Sequence, residues 1–138
     1  MLPVTTFFLY LHATDLDAMR RFYGTIVGLE EIFWSPGPKG AIGYRHGSVQ
    51  FTVLAHDSAK QGKGWARQPG WSGGTEPTPS WSFELGADAF RTAIARARAA
   101  GWPAREPAPE WRGYWGWVLL DPMGNTVEIT CPDRRAWA

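Results

Sequence analysis

One order of local signals runs through this chain twice, and that duplication narrows the folds open to it more than any other feature. Thr6 to His12 mixes aromatic and aliphatic residues as a strand does. Thr14 is then placed to cap a helix, with Asp17 three residues on to favour its start. Leu16, Met19, Phe22, Tyr23 and Ile26 recur at helical spacing, Arg20 and Arg21 fall on the other face, and Gly28 stands where a helix stops. Glu30 to Trp34 reads as a short strand and Ser35 to Gly40 as a turn-rich loop. Ala41 to Tyr44 and Val49 to Leu54 form a hairpin around Arg45-His46-Gly47-Ser48. The second round opens with a strand from Trp81 to Leu85. Asp88 caps a helix from Ala89 to about Ala100, with Phe90, Ile94 and Ala97 on one face, and Gly101 ends it. Tyr114 to Leu120 and Thr126 to Thr130 are strands joined by the tight turn Asp121-Pro122-Met123-Gly124-Asn125.

Two such halves predict an α+β architecture: a curved mixed sheet around a pocket, with helices on the outer face. The expected organisation is one domain over 1–138, with module one at about 4–56, a linking loop at about 57–79 and module two at about 80–132. The loop lacks a hydrophobic period and is rich in Gly and Pro, yet it carries Trp65 and Trp71, which argues against pure disorder.

Composition removes several classes of function. A formal charge of +1 gives no electrostatic basis for a nucleic-acid or membrane-surface partner. No apolar run approaches the roughly 20 residues of a spanning helix, and no secretory signal opens the chain, so a cytoplasmic location is expected. Cys131 is the single cysteine, so neither an internal disulfide nor a thiolate zinc cluster is expected. Nine tryptophans are the outlier. Each indole N–H needs a partner, and a small core hides few of them, so some are expected in a pocket or an interface.

Three segments carry a family likeness. Leu11-His12-Ala13-Thr14-Asp15-Leu16-Asp17-Ala18-Met19-Arg20-Arg21-Phe22-Tyr23, ending in Val27-Gly28-Leu29, is one. Phe83-Glu84-Leu85 through Gly101 is the second. Asp121-Pro122-Met123-Gly124-Asn125-Thr126-Val127-Glu128-Ile129 is the third, an Asp-Pro-x-Gly-Asn-x-x-Glu hairpin. Together they resemble the vicinal oxygen chelate superfamily, the glyoxalase/bleomycin-resistance/dioxygenase proteins, and the resemblance implies two βαβββ modules. The resemblance implies metal ligands on the first and last strand of each module, His and Glu above all, to leave an open site for a divalent ion. Placed on this sequence, those positions are Phe8, Gln50 or Thr52, Ser80 and Glu128. Only Glu128 is a strong ligand. Strand alternation sets Phe8, Tyr10 and His12 on one face, so a metal held by Glu128, His12 and Gln50 is the alternative arrangement.

Glu128 shares a face with Thr126 and Thr130, opposite Val127 and Ile129, which puts a carboxylate in the pocket. It is the best catalytic candidate, as a base, and equally an acceptor for a ligand's N–H or O–H. The resemblance also implies drug-sequestering relatives, similar to bleomycin- and mitomycin-binding proteins, that sandwich planar ligands between aromatic side chains. Trp111, Arg112 and Trp115 are expected in that role, with His12, Tyr10, Trp34 and Gln50 on the pocket and Trp34 and Trp71 as lids from loops. The expectation is thus a small-molecule-binding protein, metal-free, holding a planar or aromatic ligand in a Trp-lined pocket. One alternative is a metal-dependent lyase or dioxygenase of the glyoxalase/extradiol type using Glu128 and His12. Another is a metal-free acid/base enzyme using Glu128 with His12 or Tyr10. The resemblance implies a homodimer with a small-molecule ligand, no bound cofactor unless that divalent metal, and no nucleic-acid or membrane partner.

Overall fold

Helix and strand each bury one apolar face, and in this chain every helix finds its partner within its own module. The computed structural model describes residues 5–138, so Val4, where module one was expected to begin, lies outside them. Contacts divide the chain into two compact units that meet between Lys60 and Gln61. In the first, β1 (Phe7–Ala13) leads into α1 (Leu16–Arg20), which continues as a π-helical turn over Arg21–Val27, then β2 (Glu30–Ser35), β3 (Ala41–His46) and β4 (Val49–Ala55). In the second, β5 (Trp81–Glu84) and α2 (Ala87–Ala99) precede β6 (Glu110–Trp111), β7 (Trp115–Leu120) and β8 (Thr126–Cys131). Both are βαβββ. The strand orders are β1-β4-β3-β2 and β5-β8-β7-β6, with the first and last strand of each module parallel and the rest antiparallel. The expected curved mixed sheet is thus two open four-stranded mixed sheets, one per module.

Side-chain alternation fills each core. Leu9, Leu11 and Ala13 of β1 lie toward the helix, and Phe51, Val53, Ile42 and Tyr44 bury beside Met19, Phe22, Tyr23 and Ile26. The Tyr23 ring sits 4.7 Å from Phe51 and 6.3 Å from Tyr44, centroid to centroid. Each such side chain contributes about 1.5–3 kcal/mol by burial. Burial also pushes the Tyr44 hydroxyl pKa up, with the charge of Glu31 adding to it and that of Arg20 opposing. In unit two, Phe90, Ala93, Ile94 and Ala97 of α2 bury on the Val127–Ile129–Cys131 face of β8. Among the described residues no helix is long and apolar enough to cross a membrane.

Two helix starts differ from expectation. Asp15, not Thr14, caps α1: its Oδ1 accepts from the Ala18 amide at 3.0 Å, the three-residue reach a capping oxygen needs. α2 begins after Gly86 with no side-chain cap, and Asp88 stands inside the first turn, where its charge suits the helix dipole and pairs with Arg91. The linking loop also behaves differently at its two ends. From Gln61 on it packs with unit two, where its polar groups find partners: Gly62 N–H to Met123 O at 2.6 Å, Ala66 N–H to Thr126 Oγ1 at 2.8 Å, and Gln68 Oε1 accepting from Arg105 at 2.7 Å.

The β7–β8 turn is fixed by one carboxylate. Asp121 Oδ1 accepts from the amides of Met123 and Asn125, both at 2.9 Å, Oδ2 accepts from Asn125 Nδ2 at 2.8 Å, and Gly124 takes φ 75°. Asp121 is buried, so its removal leaves donors unmet. Asp121→Ala is therefore expected to cost about 2–4 kcal/mol in urea unfolding, with the slope of the transition unchanged.

Candidate functional site

The register of β7 against β8 decides what surrounds Glu128. Val118 pairs with Glu128, Gly116 with Thr130 and Trp117 with Ile129. Glu128 therefore shares a face with Val118 and Gly116, and Trp115 and Trp117 point the other way. On β5, Ser82 pairs with Glu128, and its hydroxyl donates to Glu128 Oε1 at 2.9 Å. Oε2 lies over Gly116, 2.7 Å from where a Cβ would stand, and the Tyr114 ring edge is 3.3 Å from the same point. The strand is bare there because only glycine leaves room for both groups. Ser82, Glu84, Tyr114, Glu128 and Thr130 line a cavity of about 410 Å³, and Glu128 is only 7% exposed. A buried carboxylate with a serine donor and an aromatic neighbour can accept a hydrogen bond or a proton from a small molecule.

Arg112 supplies the positive charge near this site. It bonds Glu110 Oε2 at 2.8 Å and approaches Glu106 Oε1 at 3.6 Å. Its pKa is raised, first by the Glu110 hydrogen bond, against the desolvation that lowers it, then by the charges of Glu110, Glu106 and Glu128.

The expected tryptophans sit elsewhere. Trp115 is buried on the helix side and donates Nε1–H to Arg134 O at 2.9 Å. Trp111 meets it edge-on at 5.5 Å, and the Arg134 guanidinium caps both rings at 4.6 and 5.1 Å. Trp71 folds inside its own loop under Arg105, 4.0 Å from the ring centre. Sequence reasoning missed Ser82 and Tyr114. The signal for Tyr114 was present: Trp115, Trp117 and Leu119 form one apolar series, so Gly116 and Val118 must face the carboxylate.

In unit one, His12 and Trp34 do come together. Both line a cavity of about 950 Å³ at the end of β1, with Pro36, Lys39, Leu54 and His56. His12 stands 5.8 Å from the His56 ring, and Trp34 stacks on Arg20 at 4.4 Å. Tyr10 and Gln50 lie back along the same sheet face, paired with Thr52 and Phe8.

The metal positions can now be tested against register. Phe8 pairs with Gln50 in one sheet, and Ser82 with Glu128 in the other. Ser82, not the exposed Ser80, is thus the second module's position, since Ser80 precedes β5. Phenylalanine cannot ligate, and a serine hydroxyl and an amide are weak donors beside one carboxylate. His12 is four residues beyond Phe8, about 13 Å along the strand at about 3.3 Å per residue. Among the described residues no group of three or more His, Cys, Asp or Glu is placed to hold a metal ion. Neither pair of residues fits the divalent metal that the sequence resemblance implies.

Solved structures share this chain path. A glyoxalase/dioxygenase from Nostoc punctiforme superposes with TM-score 0.72 at 19% identity, over 94% of this chain and 92% of that one. The chain has the glyoxalase/bleomycin-resistance fold. Lactoylglutathione lyase from Agrobacterium tumefaciens gives 0.60 at 23% identity over 94% of each chain. The fosfomycin resistance protein FosX from Mesorhizobium loti gives 0.63 at 13%, over 97% of this chain and 96% of that one. No family model matches the sequence, and no curated protein does.

On this fold the indole N–H of Trp115 is a structural bond. Trp115→Phe is expected to lose about 1 kcal/mol in thermal or urea unfolding while ligand affinity at Glu128 stays the same. Gly116→Ala is expected to do the reverse, keeping the fold and displacing the Glu128 carboxylate.

Proposed function

We propose that this protein binds a small planar molecule without a resident metal, and that Glu128 accepts a hydrogen bond from the ligand's N–H or O–H. The Glu128 carboxylate carries this reading: it is nearly buried, oriented by Ser82 and set on bare backbone beside the Tyr114 ring. A carboxylate taken out of water without a full set of donors is unfavourable, and a donor on a ligand supplies what is missing. Tyr114, exposed and at the cavity wall, provides the flat contact that the sequence alone assigned to Trp111 and Trp115. Arg112 adds a positive charge near the site, raised in pKa first by its hydrogen bond to Glu110 and last by the charge of Glu128.

Ligand classes follow from those groups. A planar amidine, aminoheterocycle or phenol presents a donor in the plane of a ring, which suits a carboxylate beside an aromatic side chain. The fold is shared with proteins that bear the names lactoylglutathione lyase and fosfomycin resistance protein, and small-molecule handling is the property we carry over from them. We also propose a cytoplasmic location and a homodimeric assembly, on the sequence alone.

Two measurements test the reading. Benzamidine and 2-aminobenzimidazole, titrated by calorimetry, are expected to bind the wild type, with Glu128→Gln weakening them at least 10-fold, about 1.4 kcal/mol. Equal affinity for the variant would sink the assignment of Glu128. Tag-free protein, reloaded with Mn, Fe, Co, Ni or Zn and desalted, is expected to carry well under one metal per chain by plasma mass spectrometry. Near-stoichiometric metal lost on Glu128→Gln would replace this reading with the metal-dependent lyase or dioxygenase one.

A further inference from the structure

The metal-ligand register of module one holds a phenylalanine, and the residues around it make a different kind of site. Phe8 and Tyr10 stand two apart on β1 and project from one face. Their rings are parallel within 8°, with centroids 6.4 Å apart, and they are 50% and 58% exposed. Two rows over, on β3, Gly43 carries no side chain, and the Phe33 ring of β2 lies across it, in the space a Cβ would fill. Phe33 is itself 41% exposed. Between Tyr10 and Gly43, in register with both, is Thr52. That threonine is 4% exposed, and its Oγ1 has no hydrogen-bond partner among the described residues. Gln50, level with Phe8, supplies an amide to the same face.

These features are hard to explain as packing alone. Buried hydroxyls are nearly always hydrogen-bonded, and an orphan costs free energy that a valine at the same place would not. Half-exposed parallel rings leave apolar surface in water. A flat molecule with one polar group satisfies both: its face lies on the rings, and its edge meets the hydroxyl.

We infer that this half of the fold has exchanged a metal-ligand position for an aromatic platform, with Phe8, Tyr10 and Phe33 stacking a planar ring and Thr52 Oγ1 bonding a hydroxyl or carbonyl on its edge. The inference deepens the small-molecule reading above and rests on it for the class of ligand, but it uses none of the residues around Glu128. Phe33 moves off Gly43 to admit the ring, since it is a half-exposed side chain lying on bare backbone. No covalent step is involved.

The test uses 2-acetylnaphthalene as the probe, which has a carbonyl on its edge and no N–H or O–H for Glu128 to accept. Its control is 2-acetyldecahydronaphthalene, the same skeleton without a flat π-face. Binding is followed by NMR of the aromatic side chains and by calorimetry on the full chain. The expected result is saturable 2-acetylnaphthalene binding with shifts at Phe8, Tyr10 and Phe33, and at least 10-fold weaker binding of the control. Phe8→Ala/Tyr10→Ala, both at exposed positions, is expected to weaken 2-acetylnaphthalene at least 10-fold, and Thr52→Val about 5-fold. Because the probe offers no donor to a carboxylate, Glu128→Gln is expected to leave it within 2-fold. Equal binding of probe and control, or no effect of Phe8→Ala/Tyr10→Ala, would overturn the platform. Loss on Glu128→Gln with the platform variants unaffected would overturn it too, while leaving the Glu128 reading in place. Thr52→Val that keeps full affinity would remove the hydroxyl from the site and reduce it to stacking, against the inference as stated.

Discussion

Strand pairing has a period of two, and in β7 that period carries two different sets of residues. Trp115, Trp117 and Leu119 fill the face toward α2, and Gly116 and Val118 fill the face toward Glu128. Everything at the carboxylate depends on this. A one-residue slip would put indole rings against Glu128 and glycine into the core. The register is held at the hairpin end by the Asp121 carboxylate and at the other end by the indole of Trp115, bonded to Arg134 O. Core packing, turn chemistry and site geometry are therefore one constraint seen at three places along the same two strands.

The tryptophans follow from the same alternation. An indole is large and apolar but carries one N–H that must be met when buried. Trp102 gives its N–H to Leu120 O at 2.6 Å, Trp115 to Arg134 O and Trp117 to Glu106 O at 2.8 Å. The ring faces are met by arginines: Arg20 on Trp34, Arg105 on Trp71, Arg134 on Trp111 and Trp115, and Arg98 on Trp117 and Trp137. Guanidinium planes stack on indoles and cover their apolar surface; the Arg105 side chain, only 2% exposed, is instead met by Glu106 and Gln68. The high tryptophan count is in large part an account of how a small domain seals its outer surfaces, and it says less about a ligand than composition suggested.

Much of the fold was legible because it rests on local rules. The repeated strand–helix–glycine–strand order, Gly28 as a helix stop and the Asp-Pro-x-Gly-Asn turn each state their geometry in a few adjacent residues. What was not legible depends on contacts between distant residues. Thr14 and Asp15 are both good caps, and the choice between them turns on which oxygen reaches the Ala18 amide. Ser80 and Ser82 differ by one strand repeat, and only pairing with β8 identifies the one beside Glu128. The ordered part of the linking loop is built from bonds to partners dozens of residues away, Ala66 to Thr126 and Gly62 to Met123 among them. Trp115 was placed at the pocket on the resemblance to drug-sequestering proteins, although alternation against Val127 and Ile129 already turned it toward the helix.

The two modules share a topology, and their corresponding positions have diverged in opposite chemical directions. The first-strand and last-strand pair is Phe8 with Gln50 in one and Ser82 with Glu128 in the other. Neither pair by itself offers the several strong donors a divalent ion takes, so Glu128 is stabilised by the protein around it. That is done with one serine hydroxyl, the nearby charge of Arg112 and a bare stretch of backbone, which is a modest set for a nearly buried carboxylate. A carboxylate held so sparingly retains acceptor capacity. In the other module the first strand carries rings at the corresponding place, Phe8 and Tyr10. One register position in a shared topology thus carries opposite chemistry, polar at Ser82 and Glu128 and largely apolar at Phe8.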